Sequence, residues 1–347
     1  MSPAATTEPA EQACRVLLQY LDEETDPRKR ELMIRDCLAR AEQLPDAARR
    51  DVDQRILQPF RTPGRAVPEN PESPVIHTGS PKAVDVLVTT VVPIERLAAQ
   101  IAFDLGRPTA THDNRRYHET TVPSAPAERD LSVVVTDIGD AGNVSAAVAV
   151  GQMRQHYQAG AYFLVGIAAG REGPVDLGDV VLPVIIIDFE GGTAGKKKFR
   201  PRPDPRRVPA GMRRNLGYYV PSRTRFYQRL DEKLNELPKE HWPPDFKPPF
   251  RPAFPDKVVL ATGEKVRRDA SLQKLVEHDE RLKAADMEST GFATQLGNVP
   301  WAVFRGITDF GDEDKADNWH GFAALAACVA LRDFLETEYE PPDVGNL

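Results

Sequence analysis

From Val84 to the end of the chain, short apolar segments of strand length alternate with segments of helical periodicity. Val84–Val88 is typical of a buried strand, and a helix is expected around Glu95–Phe103. Strands that alternate with helices in this way predict an α/β fold, in which helices pack on a central sheet. This alternation constrains the fold more than the composition does, because 41% hydrophobic and 28% charged residues are ordinary for a globular protein.

Further elements continue the alternation. The expected strands are Leu131–Val135, Tyr162–Val165, Val180–Ile187, Val258–Leu260 and Trp301–Phe304, and the expected helices are Val144–Tyr157 and Phe322–Leu335. Two glycine-containing stretches, Gly139–Asn143 and Gly166–Gly170, are each interpreted as a turn that follows a strand. Glycine at such a turn lets the backbone come close to a ligand and present its N–H groups.

Residues 1–60 differ from the rest of the chain, because apolar side chains recur at helical spacing over 9–58. We expect a small N-terminal helical unit with a thin core, which therefore leans on the main domain or on a second subunit. Residues 61–82 are rich in Pro and Gly and are expected to form a linker. The main α/β domain is expected to span 83–340.

The segment 192–256 breaks the alternation and carries much of the Pro and Arg of the chain, including the basic stretch Lys196–Arg214. We expect an insertion that lies outside the core. Three interpretations stay open for it: a solvated surface segment, an anion-binding lid over an active site, or a nucleic-acid contact. The lid interpretation rests on the fit between guanidinium groups and phosphate oxygens.

Charge and cysteine content argue against several classes of protein. A net charge of −7 is unusual for a general nucleic-acid binder, so nucleic acid is not an expected partner. Cys14, Cys37 and Cys328 are too widely spaced for a zinc motif or a disulfide framework, and the histidines form no metal-binding pattern. We therefore expect no metal and no other cofactor. The N-terminus lacks the features of a secretory signal and the apolar runs are of strand length, so a cytoplasmic protein without a membrane partner is expected.

Acidic side chains occur at the points where the expected strands end. Asp309 follows a buried strand within Arg305–Asp312, where we expect a turn, and Glu95 follows the first strand of the domain. Glu288 is expected near the start of a helix. Ligands of α/β sheets bind at the carboxyl ends of the strands, so these side chains are candidates for one active site. Taken singly, each also fits an ordinary helix cap or first-turn residue.

Taken in order, these motifs resemble the purine and uridine phosphorylase superfamily, and in particular its methylthioadenosine/S-adenosylhomocysteine nucleosidase branch. The matching segments are VDVLVTTVVPIE, GIAAG, LGDVV, ATGE, ADMESTGFA and RGITDFGD. They run from about Val84 to Leu335, with 192–256 outside the resemblance. The resemblance implies a three-layer α/β/α sandwich with a mixed central sheet, to which the small N-terminal helical unit is added.

The resemblance also implies individual roles in the cleavage of an N-glycosidic bond. Asp309 matches the acid that protonates the purine at N7, Glu95 the base that activates water, and Arg305 an arginine near that water. Glu288 matches the carboxylate that binds the ribose hydroxyls, and Met287 matches the residue that packs beside the sugar. The other expected substrate-binding residues are Gly166, Ile167, Ala168, Thr308 and Val266.

The expected reaction is hydrolysis of a purine nucleoside or nucleotide, with release of the free base. Phosphorolytic members carry a Gly-Asp-Pro-x-Arg type of loop after the first strand, whereas this chain has Val92-Pro93-Ile94-Glu95, and a glutamate would repel phosphate. Ile167 stands where the nucleosidases usually have serine. Water positioning is therefore expected to depend more heavily on Glu95 and Arg305.

Alternatives to this function stay open. The chain could be a purine nucleoside phosphorylase or a non-catalytic nucleotide sensor. Domains of this kind also resemble effectors that consume nucleotides in bacterial defence or signalling, and Lys196–Arg214 is a candidate site for a 5′-phosphate. A homo-oligomer is expected, and residues 1–60 are a candidate contact for a protein partner.

Overall fold

The computed structural model describes residues 80–189, 192–194, 199–244, 246–263, 279–311 and 317–341, with the backbone alone described for 192–194, 199–201 and 317. All of them belong to the second of two units of the chain, His77–Leu347. The expected helical unit at 1–60 lies outside the described residues, as does nearly all of the expected linker at 61–82.

Strands and helices alternate along the described part of the chain. The strands are β1 (Lys82–Thr90), β2 (Ala110–His112), β3 (Arg115–Ser124), β4 (Arg129–Asp137), β5 (Tyr157–Gly170), β6 (Val180–Val181), β7 (Ile185–Asp188), β8 (Gly192–Ala194), β9 (Phe199–Pro201), β10 (Asp204–Arg207), β11 (Val259–Thr262), β12 (Leu282–Asp286) and β13 (Trp301–Asp309). The α-helices are α1 (Pro93–Ala102), α2 (Asn143–His156), α3 (Ala210–Tyr218), α4 (Phe226–Leu234), α5 (Ser289–Leu296) and α6 (His320–Thr337).

A mixed sheet of 11 strands forms the centre of this unit, in the order β10-β7-β11-β12-β5-β1-β4-β3-β2, with β13 pairing with β5 and β6. β5 pairs in parallel with β1 and with β13, and antiparallel with β12. β5 is therefore the strand on which the sheet branches, and the carboxyl ends of β1, β5 and β13 lie at the same edge.

Helices cover this sheet in two groups. α1 and α6 pack against each other, and α6 also packs on β5 and β13. α2 and α5 pack against each other, and α5 also contacts β7 and β10. This arrangement confirms the expected α/β fold with a mixed central sheet between layers of helices.

The core is tightest where α6 meets β13. Every residue of β13 is buried, and so is nearly every residue of α6 from Gly321 to Leu335. Gly306 faces the backbone of Ala323 so closely that a Cβ atom at this position would overlap the carbonyl oxygen of Ala323. The strand that carries Arg305 and Asp309 is thus held directly against the C-terminal helix.

Three sequence-based boundaries are wrong. Val180–Ile187 is two strands, because Pro183 lies between them and cannot donate to a sheet ladder. Gly166–Gly170 is part of β5 and not a turn, since β13 and β12 pair with this stretch and satisfy its backbone. Likewise Arg305–Asp309 is the second half of β13 and not a turn after it.

The described residues of 192–256 from β10 onward pack into the domain, contrary to the sequence-based expectation, whereas β8 and β9 form a separate two-stranded sheet. β10 extends the central sheet by antiparallel pairing with β7. α3 and α4 bury apolar side chains against the rest of the domain, among them Met212, Leu216, Phe226, Leu230 and Leu234. Tyr219 Oη donates to Asp333 Oδ2 on α6 at 3.1 Å, and Arg229 pairs with Glu336 at 2.5 Å. Apolar residues at helical spacing inside this Pro- and Arg-rich segment account for its packing. Lys196–Lys198 lie outside the described residues.

Strands β2, β3 and β12 were not predicted. β3 has the pattern of a polar segment, because only Tyr117, His118, Val122 and Ser124 of its ten residues are buried. Among the described helices, none combines the length and the apolar character needed to cross a bilayer.

Candidate active site

Glu95 lies at the third position of α1, just beyond the carboxyl end of β1, and its side chain turns back toward the sheet. Its Oε2 accepts hydrogen bonds from the backbone N–H groups of Val91 at 2.6 Å and Val92 at 3.1 Å. Its Oε1 accepts from the N–H of Ile167 on β5 at 2.8 Å. The carboxylate is 2% exposed. Glu95 therefore stabilises the start of its own helix and is fixed against the central strand.

Burial raises the pKa of Glu95 above its usual value, while the charge of Arg305 and the hydrogen bonds from the backbone oppose this shift. A buried carboxylate with a raised pKa holds a proton more readily than an exposed one. This property suits a group that accepts a proton during a reaction.

Gly166 makes room for this arrangement. A Cβ atom at Gly166 would overlap Oε1 of Glu95 and would crowd Nη1 of Arg305. β5 therefore needs a residue without a side chain where these two groups meet. The close approach at this glycine is to side chains of the protein, whereas sequence analysis expected an approach to a ligand, which stays a prediction.

Arg305 lies at the centre of a cluster of carboxylates and has no exposed surface. Its Nε and Nη2 donate to Oδ2 of Asp286 at 2.9 and 2.6 Å, and Nη2 also donates to Oε2 of Glu288 at 3.1 Å. Nη1 lies 3.6 Å from Oε1 of Glu95 and has no hydrogen-bond partner among the described residues. Burial opposes the charge on the guanidinium, but Asp286, Glu288 and Glu95 raise its pKa, so it stays protonated.

Glu288 immediately precedes α5 and faces the loop that follows β4. Its Oε1 accepts from the N–H of Gly142 at 3.2 Å. Burial raises the pKa of Glu288 to about 7, with Arg305 lowering it and the negative charges of Asp286 and Glu95 raising it further. The expectation of a glycine turn between β4 and α2 is confirmed, and Gly142 within it contacts a site carboxylate.

Asp309 is the last residue of β13 and is 6% exposed. Its Oδ2 accepts from Thr308 Oγ1 at 2.8 Å, and its Oδ1 accepts from the N–H of Gly311 at 2.9 Å. Thr308 Oγ1 also lies 3.4 Å from the carbonyl oxygen of Ala168. These contacts hold the Asp309 carboxyl group at the same edge of the sheet as Glu95.

A sequence model of the phosphorylase superfamily matches residues 85–335, which cover most of the chain. This range includes Glu95, Asp286, Glu288, Arg305 and Asp309. The chain belongs to this superfamily. The family resemblance read from the motifs is thereby confirmed.

Curated proteins are also similar to this chain in sequence. ATP nucleosidase Cap17 of Escherichia coli (strain KTE188) is 28% identical over 273 residues, which cover 76% of this chain and 52% of the relative. The uncharacterized protein y4jS of Sinorhizobium fredii is 24% identical over 212 residues, covering 58% of this chain and 49% of the relative. This chain therefore spans about half the length of the curated relatives that it matches.

Solved structures of nucleosidases share the fold. The MTA/SAH nucleosidase of Streptococcus pneumoniae in complex with 8-aminoadenine has a TM-score of 0.53 and 17% identity, over 73% of this chain and 99% of that chain. The 5′-methylthioadenosine/S-adenosylhomocysteine nucleosidase of Neisseria meningitidis in complex with methylthio-immucillin-A has a TM-score of 0.51 and 15% identity, over 73% and 98%. At these identities the likeness shows the fold of the superfamily.

Ile167 and Met287 are the remaining predicted residues whose surroundings the structure describes. Ile167 is half-buried, and its backbone N–H donates to Glu95. Met287 is half-buried between two members of the cluster. Val266 lies outside the described residues. Within the part of the chain that is described, no group of His, Cys, Asp and Glu has an arrangement that could hold a metal ion.

Asp286 is the member of the cluster that sequence analysis missed. It ends β12, a strand that was not predicted, and its side chain is 1% exposed. Besides Arg305, it accepts from the Ser289 hydroxyl and from the Ser289 N–H at 3.2 Å. A signal was present, because Asp286 lies two residues before Glu288 in the ADMESTGFA motif.

Proposed function

We propose that this chain hydrolyses the N-glycosidic bond of a purine nucleoside or nucleotide. The observation that carries the proposal is the convergence on Arg305, which contacts Asp286 and Glu288 and lies 3.6 Å from Glu95. Carboxylates from two distant parts of the chain, Glu95 and the pair Asp286 and Glu288, thus meet on one buried arginine. Asp309 ends the strand that carries this arginine, at the same edge of the sheet.

In the proposed reaction, water attacks C1′ of the ribose as the bond between C1′ and N9 of the purine breaks. The water gives a proton to Glu95, and Asp309 donates a proton to N7 of the leaving base. Positive charge develops on the ribose ring in the transition state, and the surrounding carboxylates stabilise it. A positioned general acid contributes about 10²–10⁴-fold to such a rate.

Arg305 and Glu288 have binding roles in this proposal. Nη1 of Arg305 has an unused donor near Glu95, and it orients the attacking water. Glu288 accepts hydrogen bonds from the ribose hydroxyls when it is ionised. Its contact with Gly142 and Arg305 fixes the carboxylate before the substrate arrives.

Hydrolysis is favoured over phosphorolysis by the charge of the cluster. A phosphate anion at the position of the water would face Glu95, Asp286 and Glu288, with Arg305 as the neighbouring cation. Coulomb repulsion in a buried site of low dielectric makes such binding costly. Water carries no charge and avoids this cost.

The test is incubation of the full chain with adenosine, AMP, ATP, inosine and GTP, with and without inorganic phosphate, followed by chromatography of the free base. We expect base release in phosphate-free buffer, and release that is about 10²–10⁴-fold slower from the Asp309→Asn variant. Base release only in the presence of phosphate would indicate a phosphorylase. Tight binding of the purine substrate without release of free base would indicate a sensor.

We further propose that the chain consumes nucleotides in bacterial defence or signalling. Support comes from the relative named ATP nucleosidase, which matches 76% of this chain. Expression in a bacterial host should lower the purine nucleotide pool, while the Asp309→Asn variant should not. Equal pools with both proteins would contradict this role. The homo-oligomer and the protein partner of residues 1–60 stay predictions.

A further inference from the structure

A cavity of about 300 Å³ lies between α1 and the β3–β4 part of the sheet. Its basic lining residues are Arg96, Arg115, Arg116 and His118, and Asp137 is the only acidic residue that lines it among those described. The cavity is therefore positively charged, in a chain whose net charge is −7. Nothing in the proposed hydrolysis uses these groups.

Some polar atoms of the lining residues are buried within the protein, and others are held by Asp137. His118 is 7% exposed, and its Nδ1 has no hydrogen-bond partner in the described part of the chain, nor does Nε of Arg115. Arg96 Nη1 donates to Asp137 at 3.1 Å, and Arg115 donates to the carbonyl oxygen of Asp137. Asp137 therefore holds Arg96 and Arg115 in place, and the positive charges of these two side chains line the cavity.

Two segments of the chain, α1 and the end of β4, connect the lining of the cavity with the proposed ribose site. Arg96 directly follows Glu95 on α1. Asp137 ends β4, and the loop after it brings the N–H of Gly142 to Glu288, 3.2 Å away. Two chain segments that line the cavity therefore also carry residues of the proposed ribose site.

Charge decides what this cavity can hold. The ribose site is rich in carboxylates, so a phosphorylated substrate is repelled there unless its phosphates reach a separate cationic surface. Arg96, Arg115 and Arg116 form such a surface, and guanidinium groups match phosphate oxygens in geometry. The volume, about 300 Å³, is at the lower end for ligand sites and suits a chain of phosphates better than a second nucleotide.

We propose that this cavity binds the 5′-phosphate chain of the substrate, so that the enzyme acts on nucleoside polyphosphates in preference to nucleosides. This inference rests on the proposed function, because it assigns the 5′ end of the same substrate. It differs from the sequence-based expectation for Lys196–Arg214. The described part of that stretch includes β10, which lies at the opposite end of the sheet from β3 and β4.

The first experiment compares ATP with adenosine as substrates of the Arg115→Gln/Arg116→Gln double variant. Charge-assisted hydrogen bonds contribute about 1.5–3 kcal/mol each, so we expect the ratio of kcat/KM for ATP over adenosine to fall at least tenfold. The matched control is Arg206→Gln/Arg207→Gln, which removes the same charge from β10 and should leave the ratio within about twofold. A ratio that does not change in the cavity variant, or falls equally in both variants, overturns the proposal.

A second measurement separates this proposal from the proposed hydrolysis. Inorganic tripolyphosphate should bind to the Asp309→Asn chain in titration calorimetry, and the cavity substitutions should weaken that binding at least tenfold. If the unsubstituted chain releases no base but still binds tripolyphosphate, the proposed hydrolysis is refuted and the phosphate site is not. Absence of tripolyphosphate binding in the active chain would refute the phosphate site. If the double variant fails to fold, Arg116→Gln, whose side chain is exposed, replaces it.

Discussion

Oδ2 of Asp286 accepts two hydrogen bonds from Arg305, from Nε at 2.9 Å and from Nη2 at 2.6 Å. The pair joins β12 to β13 below the proposed ribose site, and neither side chain is more than 1% exposed. Arg305 is thereby oriented with Nη2 toward Glu288 and Nη1 toward Glu95. Asp286 acts through Arg305 and is a positioning residue.

Asp286→Asn should lower kcat about 10–100-fold, because Arg305 loses a charge-assisted partner of about 1.5–3 kcal/mol. The same substitution removes a negative charge that raises the pKa of Glu288. The acidic limb of the pH profile of kcat/KM should therefore move to lower pH. A lower kcat with an unmoved acidic limb would indicate that Asp286 is merely structural.

The stability of the chain should depend on pH through Glu288. Its pKa is about 7 in the folded chain against 4.5 in its usual state, so the folded chain binds more protons between these values. The free energy of unfolding should then fall as pH rises from about 4.5 to about 7, by about 1–3 kcal/mol. Thermal unfolding from pH 4.5 to 7 should show a smaller fall in the free energy of unfolding for Glu288→Gln than for the unsubstituted chain. Glu236→Gln, which changes an exposed carboxylate, is the control and should behave like the unsubstituted chain. If the free energy of unfolding falls equally with pH in the unsubstituted chain and in both variants, Glu288 is not the source of the pH dependence.

Asp309→Asn should lower kcat by about 10²–10⁴-fold, since an amide cannot deliver the proton to N7. The affinity for substrate should change little, because protonation of N7 is needed in the transition state. Single-turnover kinetics and equilibrium binding measure the two effects separately. Asp104→Asn, which removes a carboxylate paired with Arg332 and Lys233 at the surface, serves as the control. Unchanged turnover in Asp309→Asn would remove this residue from the mechanism.

Gly166→Ala should abolish most activity although it adds only a methyl group. That group would overlap Glu95 Oε1 and displace Arg305 Nη1, so the proposed water site would be distorted. We expect kcat to fall at least tenfold, measured beside thermal stability. Gly211→Ala in α3 meets open space and should be neutral or slightly stabilising. If Gly166→Ala retains full activity, the close contact of Glu95 with β5 is unimportant for function.

The fold and most of the candidate site could be predicted because their signals are local or belong to ordered motifs. Buried strands such as β1 and β4 read as apolar runs, and the motifs around Glu95, Glu288 and Asp309 follow one another at family spacing. β12 could not be predicted in the same way, because Leu282–Asp286 is short and half polar. Asp286 was missed together with its strand.

Other features depend on partners that are distant in sequence. Gly166–Gly170 remains a strand because β13 and β12 pair on either side of it, which no local pattern indicates. The packing of α3 and α4 was hidden by the Pro and Arg residues around them. The basic cavity combines Arg96 of α1 with Arg115 and Arg116 of a strand that was not predicted, so composition alone gave no sign of it.

The contacts of Glu95 link a helix start to the ionisation of one side chain. Val91, Val92 and Ile167 donate their amide protons to this carboxylate, and protonation would weaken all three hydrogen bonds together. Hydrogen–deuterium exchange at these amides would then report the charge state of Glu95 directly, without a substrate, and would reveal whether an inhibitor binds the charged or the neutral form.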